Sequence, residues 1–343
     1  MKAMVLDAIT DLKTNRNPLR LAEVPRPKPQ SGQVLVKVRR CGVCHTELDE
    51  IEGRTPPASF PVILGHQVVG TVVENGDGAH RFKSGERVGI AWIYSACGRC
   101  ALCRGGFENL CAAFQATGRD ADGGYAEYTT VPDQFAYPIP PAFSDSQAAP
   151  LLCAGAIGYR SLALTGLQDG QVLGLVGFGA SAHLVLQMAK HRYPNSPVFV
   201  FARSPNERAF AIELGADWSG DIDDTPPHSL TAAIDTTPVW RPIVRTMEYL
   251  LPGGRLVINA IRKEEVDKKE LVGIDYPRHL WMEKEIKSVA NVARSDVSGF
   301  LSLAAEIPIL PEVQEFRLEE ANKALLELKE QRVRGAKVLV VEP

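Results

Sequence analysis

The chain has 343 residues, 45% apolar and 23% charged, which excludes a disordered chain and makes two domains the starting expectation. Its formal net charge of −3 leaves no electrostatic footprint for nucleic acid or anionic lipid. Residues 1–10 lack the apolar run of a signal peptide, and the longest apolar stretch, 173–189, is broken by Gly177, Gly179, Ser181, His183 and Gln187, so neither a leader nor a membrane span is expected and a cytoplasmic location is.

Residues 1–40 alternate apolar and polar side chains, as in Val34, Leu35, Val36, Lys37 and Val38, with prolines at 25, 27 and 29. This pattern predicts short strands and turns. Strands are also predicted at 68–74 and 87–93, with Asn75, Gly76, Asp77 and Gly78 as the turn signal after the first. The first part of the chain is therefore mostly β. Near residue 150 the pattern changes. An apolar run at 171–176 leads into Gly177, Phe178 and Gly179, then helical spacing to Lys190. A strand at 198–202, a helix at 205–214, a strand at 232–235 and a helix at 242–251 follow, the last closed by Pro252, Gly253 and Gly254. Strands at 256–260 and 287–291 complete the alternation, which predicts a doubly wound parallel sheet. A charged amphipathic helix is expected at 318–330.

The seven cysteines stand at 41, 44, 97, 100, 103, 111 and 153. An odd count with four in one short window favours metal binding over a disulfide framework, the more so in a cytosolic chain. Cys97, Cys100, Cys103 and Cys111 have spacings that let four thiolates close a tetrahedral zinc site with no open position. Such a site stabilises a loop and does no chemistry. Chance clustering or a redox site is the alternative. Cys44, His66 and Cys153 form a second candidate set. Two thiolates and one imidazole leave the fourth position of a tetrahedral zinc open, where water or an alcohol oxygen can bind and lose a proton.

Gly177, Phe178, Gly179, Ala180, Ser181 and Ala182 fit the pattern of a dinucleotide-binding turn between a buried strand and a helix. Gly177 permits the turn, Gly179 lets the backbone approach a pyrophosphate, and Ala182 allows close packing of helix on strand. The next strand ends in Arg203 and Ser204, where enzymes that use NAD tend to carry an acid. Arg203 could pair with a 2′-phosphate and Ser204 could add a hydrogen bond. This makes NADP(H) favoured over NAD(H); a solvated arginine in a loop that still admits NAD is the alternative.

These motifs together resemble the zinc-dependent alcohol dehydrogenases of the medium-chain dehydrogenase/reductase superfamily, over essentially the whole chain. The resemblance is carried by CGVCHTE, GHQVVG, the four-cysteine loop, GGYAEY, PLLCAG and GFGASA, in the superfamily's order. It implies an α/β protein with a GroES-like, mostly-β catalytic domain at 1–153 and 293–343, holding both zinc sites, and a Rossmann domain at 154–292. It also implies two zinc ions per chain, with Cys44, His66 and Cys153 on the catalytic one. Thr46 matches the hydroxyl residue that takes the alcohol proton, and His45 a contact to the cofactor pyrophosphate. Three departures stand out. Glu47 replaces the frequent aspartate that orients the zinc histidine, and its longer arm requires a shift. Gln67 replaces a usual glutamate, leaving a more positive metal site. Asp49 replaces a histidine that ends the proton relay; it either relays a proton or is a solvated surface carboxylate.

Trp92 matches a position lining the substrate pocket, where an indole favours small primary alcohols and aldehydes; a core tryptophan is the alternative. Tyr94 and Trp281 are weaker candidates for the same wall. The reaction expected is reversible hydride transfer between an alcohol or aldehyde and NAD(P), in a homo-oligomer. An aromatic-alcohol or polyol dehydrogenase is the rival on the same scaffold, and a non-catalytic nucleotide-binding zinc protein is the rival from another class. The superfamily's zinc-free quinone reductases lack both cysteine sets.

Overall fold

The computed structural model describes residues 1–307, 309–330 and 335–342. They fall into two compact units, Met1–Cys153 with Val292–Pro343, and Ala154–Asn291.

The first unit is organised around one long strand, Gln33–Val43. Its apolar residues Val34, Leu35, Val36 and Val38 are wholly buried. It pairs antiparallel with Val68–Asn75, Tyr128–Pro132 and Ala336–Val340. The last pairing explains why the unit is discontinuous in sequence: the C-terminal strand returns to lie beside residues 40–43. A smaller sheet of Leu19–Glu23, Lys2–Leu6 and Val62–Ile63 completes the β layer.

Register in this sheet positions the chemistry. Cys41 lies opposite Val68, and the Gly42 amide donates to the Gln67 carbonyl at 2.9 Å. Cys44, just beyond one strand, and His66, just before its neighbour, therefore sit at the same end of the pair. The strand Gln33–Val43 runs straight into the helix His45–Ile51, with Cys44 at its N-cap. A third segment comes from the helix Asp145–Pro150, capped by the Ser144 hydroxyl on the Gln147 amide at 3.2 Å. Pro150 cannot donate a helical hydrogen bond, and the coil widens into a π turn, Leu151–Gly155, that carries Cys153.

The second unit is a six-stranded sheet in the order Trp218–Gly220, Val198–Phe201, Leu173–Val176, Leu230–Asp235, Leu250–Ile258, Glu285–Ser288, every pair parallel. Val176, Phe199, Phe201, Leu230, Met247 and Leu256 belong to its core. The chain leaves the central strand first to one side and then to the other, so the order reverses between Leu173–Val176 and Leu230–Asp235. In sheets of this kind ligands bind at the carboxyl ends of the strands at such a reversal.

Element bounds differ from the sequence reading where turns were overvalued. Pro252, Gly253 and Gly254 lie within the strand Leu250–Ile258 rather than closing a helix, and the preceding helix is Arg241–Tyr249. The stretch 87–93 is broken into Arg87–Ile90 and Ile93–Ser95. The last strand of the second unit is Glu285–Ser288 rather than 287–291. The terminal helix is a short 3-10 turn, Leu318–Glu320, continued as Ala321–Lys329. Among the described residues no helix is long and apolar enough to cross a membrane.

Candidate active site and metal centres

The ligand atoms of Cys44, His66 and Cys153 all lie within 4.8 Å of one another. The two sulfurs are 3.9 Å apart. That is far from the ~2.05 Å of a disulfide and near the ~3.8 Å edge of a tetrahedron with zinc–sulfur bonds of about 2.3 Å. His66 is 1% exposed, and its Nε2 has no hydrogen-bond partner among the described residues. Burying an unpartnered ring nitrogen is costly unless it binds something other than a protein donor. The donor set and its geometry therefore fit a zinc ion with one position left open.

Glu47 stands behind the histidine, with Oε1 2.6 Å from His66 Nδ1. Its other oxygen accepts the Cys44 amide at 2.8 Å. One carboxylate thus fixes the cap of the helix and directs the imidazole so that Nε2 faces the thiols. The glutamate's longer arm is accommodated because it sits one turn into the helix and folds back onto the cap. Burial alone would lower the His66 pKa; the charge of Glu47 and the nearby Cys44 thiol hold it well above the usual range instead. The hydrogen bond from Cys153 takes Cys44 well below the ordinary thiol range, against its burial, while that same bond, with burial, pushes Cys153 up.

Thr46 Oγ1 lies 3.6 Å from Cys44 Sγ, beside the candidate metal position. His45 is exposed at the start of the helix. Asp49 is not the solvated surface carboxylate allowed by the sequence: it is 4% exposed and pairs with the guanidinium of Arg54. It lies in a helix whose residues 47–51 are all buried, so this turn is covered on every side. Gln67 is 4% exposed and packs against Gly42, where a side-chain carbon would meet its Oε1 at 2.6 Å.

Trp92 is half-buried, 5.7 Å from the Phe114 ring and 5.3 Å from the Arg119 guanidinium. The Tyr94 hydroxyl accepts from the Gln33 side chain at 2.8 Å, which ties it to the sheet. Trp281 is 54% exposed in the second unit, edge-on to Tyr276.

One residue near this centre was missed by the sequence reading. Glu50 is wholly buried, and neither carboxyl oxygen has a hydrogen-bond partner among the described residues. Burial first, then the charge of Glu47, pushes its pKa well above the carboxylate range; the charge of His66, and then the Trp92 indole N–H approaching without a full hydrogen bond, offset part of this. Its spacing of three from Glu47 in a helix was the available signal, since i and i+3 share a face.

The four cysteines 97, 100, 103 and 111 also gather their sulfurs within 4.8 Å. Cys97 and Cys103 are 3.9 Å apart, as are Cys100 and Cys111. Amides of Cys100, Cys103 and Ala113 point at sulfurs at 3.4 Å. Backbone amides of Arg99 and Cys100 lower the Cys97 pKa to about 6. All four positions of a tetrahedron are met by protein, so this set fits a closed zinc.

In the second unit Gly177 has φ +80°, a conformation only glycine adopts freely, and a side-chain carbon there would meet Thr236 Oγ1 at 2.7 Å. A side-chain carbon on Gly179 would meet nothing within 4 Å, so the backbone is open to a ligand. Ala180 is exposed and Ala182 is buried at the start of the helix Ala182–Arg192. Phe178 is 5% exposed and packs edge-on to Phe210. Ser181 turns inward: its hydroxyl donates to the Ala154 carbonyl at 3.0 Å and accepts from the Asn259 amide at 3.2 Å. Arg203 is exposed at the strand end, and Ser204 precedes the helix Pro205–Glu213. The turn has the free backbone and the helix N-terminus that a pyrophosphate requires.

The sequence profile of the alcohol dehydrogenase GroES-like domain matches residues 30–141. The protein described as "Probable alcohol dehydrogenase AdhA" of Mycobacterium tuberculosis is 43% identical, over 93% of this chain and 91% of that one. An alcohol dehydrogenase of Geobacillus stearothermophilus is 33% identical, over 99% of this chain and 98% of its own. The crystal structure of AibC superimposes with a TM-score of 0.89 at 26% identity, covering 100% of this chain and 96% of that one.

Proposed function

The chain belongs to the alcohol dehydrogenase family of the medium-chain dehydrogenase/reductase superfamily, and from that premise we propose a zinc-dependent alcohol dehydrogenase and aldehyde reductase acting on small primary alcohols with NADP(H). The observation that carries the reading is the three-ligand centre of Cys44, His66 and Cys153, complete except for one position. In this reading the chain holds two zinc ions, the second on Cys97, Cys100, Cys103 and Cys111.

A zinc ion in the open centre supplies Lewis acidity to an alcohol or carbonyl oxygen, and the nicotinamide supplies or accepts hydride. The protein does the rest. The Thr46 hydroxyl accepts the alcohol proton in oxidation and returns it in reduction. Glu47 holds His66 in one tautomer and orientation. Asp49, one turn beyond Thr46 and paired with Arg54, makes only a minor contribution to the proton path. Trp92 narrows the substrate pocket. The open turn at Gly177–Ser181, with Phe178 and Ala180, cradles the pyrophosphate. Arg203 and Ser204 bind the 2′-phosphate of NADP(H). A homo-oligomer in the cytoplasm is the setting expected from the family resemblance.

Initial rates for a panel of short, aromatic and polyol alcohols and the matching aldehydes, with both cofactors, test the substrate and cofactor readings together. We expect the highest kcat/KM for a short primary alcohol with NADP(H). Arg203→Ala should raise KM for NADPH by about 10- to 150-fold, the worth of a hydrogen bond to a charged group, and leave NADH almost unchanged. Equal KM values in the wild type, or an equal rise in the variant, return Arg203 to a solvated loop residue. A panel optimum among aromatic alcohols or polyols overturns the small-substrate reading.

A further inference from the structure

The parallel sheet of the second unit consists of two three-stranded halves that meet between Leu173–Val176 and Leu230–Asp235. The glycine turn belongs to the first half. In such sheets each half receives one mononucleotide of a dinucleotide. The adenosine half then lies on the first three strands, and the nicotinamide half meets the loops that leave the other three.

Those loops, 236–240 and 259–267, are joined by an unusual contact. Asp235, the last residue of its strand, is wholly buried. Lys263, from the following loop, brings its ammonium against the Asp235 carboxylate, with only 7% of its side chain exposed. The same ammonium donates to the carbonyls of Thr237 at 2.7 Å and Val239 at 3.2 Å. The Thr237 hydroxyl donates to the other Asp235 oxygen at 2.7 Å. Around this knot, Asn259 donates its amide to the Asp235 carbonyl at 2.7 Å, and Glu264 donates to the Pro238 carbonyl at 2.7 Å. Asp267 accepts the amides of Trp240 and Arg241. Both loops therefore leave the sheet as one body, fixed to the strand end at the reversal point.

Holding two loops together does not require a buried charge pair, because neutral or exposed contacts can do it without the desolvation cost. What a buried pair adds is a directed, single arrangement. The ammonium meets three oxygens on one side of the loop, so 236–239 cannot move without leaving a buried charge unpaired. Burial pushes the Asp235 carboxyl up, and Lys263 pulls it back.

We propose that Lys263 is a positioning residue for the cofactor: its latch onto Asp235, Thr237 and Val239 sets the two loops that receive the nicotinamide mononucleotide half. The inference rests on the dinucleotide reading of this unit.

The test separates the two halves of the ligand. Dissociation constants for NADPH, NADH and the adenosine fragments ADP-ribose and 2′,5′-ADP are measured by calorimetry on the wild type, Lys263→Met, Lys263→Arg and the charge-free double variant Lys263→Met with Asp235→Asn. The double variant leaves no unpaired buried charge, so it keeps the test open if the single variant does not fold. We expect the whole dinucleotides to weaken by about tenfold or more in the methionine variants, the loss typical of hydrogen bonds to a charged group, while the fragments hold. Lys263→Arg should recover part of the loss. Equal weakening of fragments and whole cofactors marks a general structural role and overturns the proposal, as does unchanged binding of all of them in the double variant. A wild type that binds neither fragments nor cofactors overturns the dinucleotide reading itself, and the latch with it.

Discussion

Cys97, Cys100, Cys103 and Cys111 come from one short loop, whereas Cys44, His66 and Cys153 come from three segments of the same unit, spread from residue 44 to residue 153. The loop set is complete in itself, with four sulfurs and their amide donors all local. It is fastened to the rest of the unit by Glu108, which accepts the Arg294 amide at 3.0 Å and its side chain at 2.6 Å. The dispersed set is incomplete and more deeply buried at its histidine, with Glu47 fixing that histidine from behind. A site assembled from distant segments can have its neighbours chosen independently by the fold. A site made by one loop has only that loop's residues to work with. The first arrangement suits chemistry, the second suits stability.

The sharpest way to break this comparison is to remove one thiol from each site. Cys44→Ser should empty the dispersed site and lower kcat/KM by about 10³-fold or more, the scale of the several kcal/mol a Lewis acid supplies, with the melting temperature little changed. Cys103→Ser should instead lower the melting temperature and leave kcat/KM of the folded fraction near wild type. Metal counting, steady-state rates and thermal melts on the two variants decide it. Activity lost in Cys103→Ser at an unchanged melting temperature would reverse the assignment.

The same contrast explains what the sequence could and could not disclose. Cys97 to Cys111 were legible from spacing alone because every ligand lies within a short local stretch. Cys44, His66 and Cys153 could be put forward as a set from their chemistry, but no local spacing joins them, and the likeness of GHQVVG and PLLCAG to a known family strengthened the grouping. Their proximity is created by the register of Cys41 on Val68 and by the π turn after Pro150, and neither is written in local pattern. The alternation of strands and helices after residue 170 was readable because each step has its own period. Pro252, Gly253 and Gly254 look like a stop, and they do interrupt the ladder: Leu230 lies opposite Leu250 and Ala232 opposite Arg255, so the three residues fall in an irregularity within the strand Leu250–Ile258. Lys263 and Asp235 gave no signal, since a lysine and an aspartate so far apart in sequence meet only when the sheet forms.

Within the dispersed site the next largest effect should come from Thr46. Its hydroxyl is close to the candidate metal position, and Thr46→Ala should lower kcat by about 10²-fold, the lower end of what a general acid–base group contributes. Thr46→Ser should recover most of it. If the serine variant were as impaired as the alanine one, the methyl rather than the hydroxyl would be what matters.

Glu47 should act on the metal rather than on the proton. Glu47→Gln keeps the length of the side chain and its bond to the Cys44 amide but removes the charge beside His66 Nδ1. Loss of such a supporting carboxylate typically costs 10- to 100-fold in metal affinity. Competition with a chelator of known affinity measures it, and the loop site serves as the internal control because Glu47 has no part there. Equal release from both sites would mean that the unit had loosened as a whole.

The smallest effect is expected from Asp49. The family resemblance puts a relay group here, but this carboxylate already has an occupation. It pairs with Arg54, while its backbone carbonyl accepts the amides of Arg54 at 2.8 Å and Thr55 at 3.2 Å. Arg54 also pairs with Glu52, which in turn meets Lys329. One oxygen of this carboxylate is thus committed to the guanidinium, and the residue is held by contacts that have no part in the metal centre. Asp49→Asn retains the size and can still accept from Arg54. It should therefore lower kcat less than about tenfold, below the usual range for a general acid–base group, and leave the pH profile of kcat unmoved. A loss matching Thr46→Ala, with the profile displaced, would make Asp49 an obligatory proton carrier. It would also mean that Arg54 releases the carboxylate during turnover.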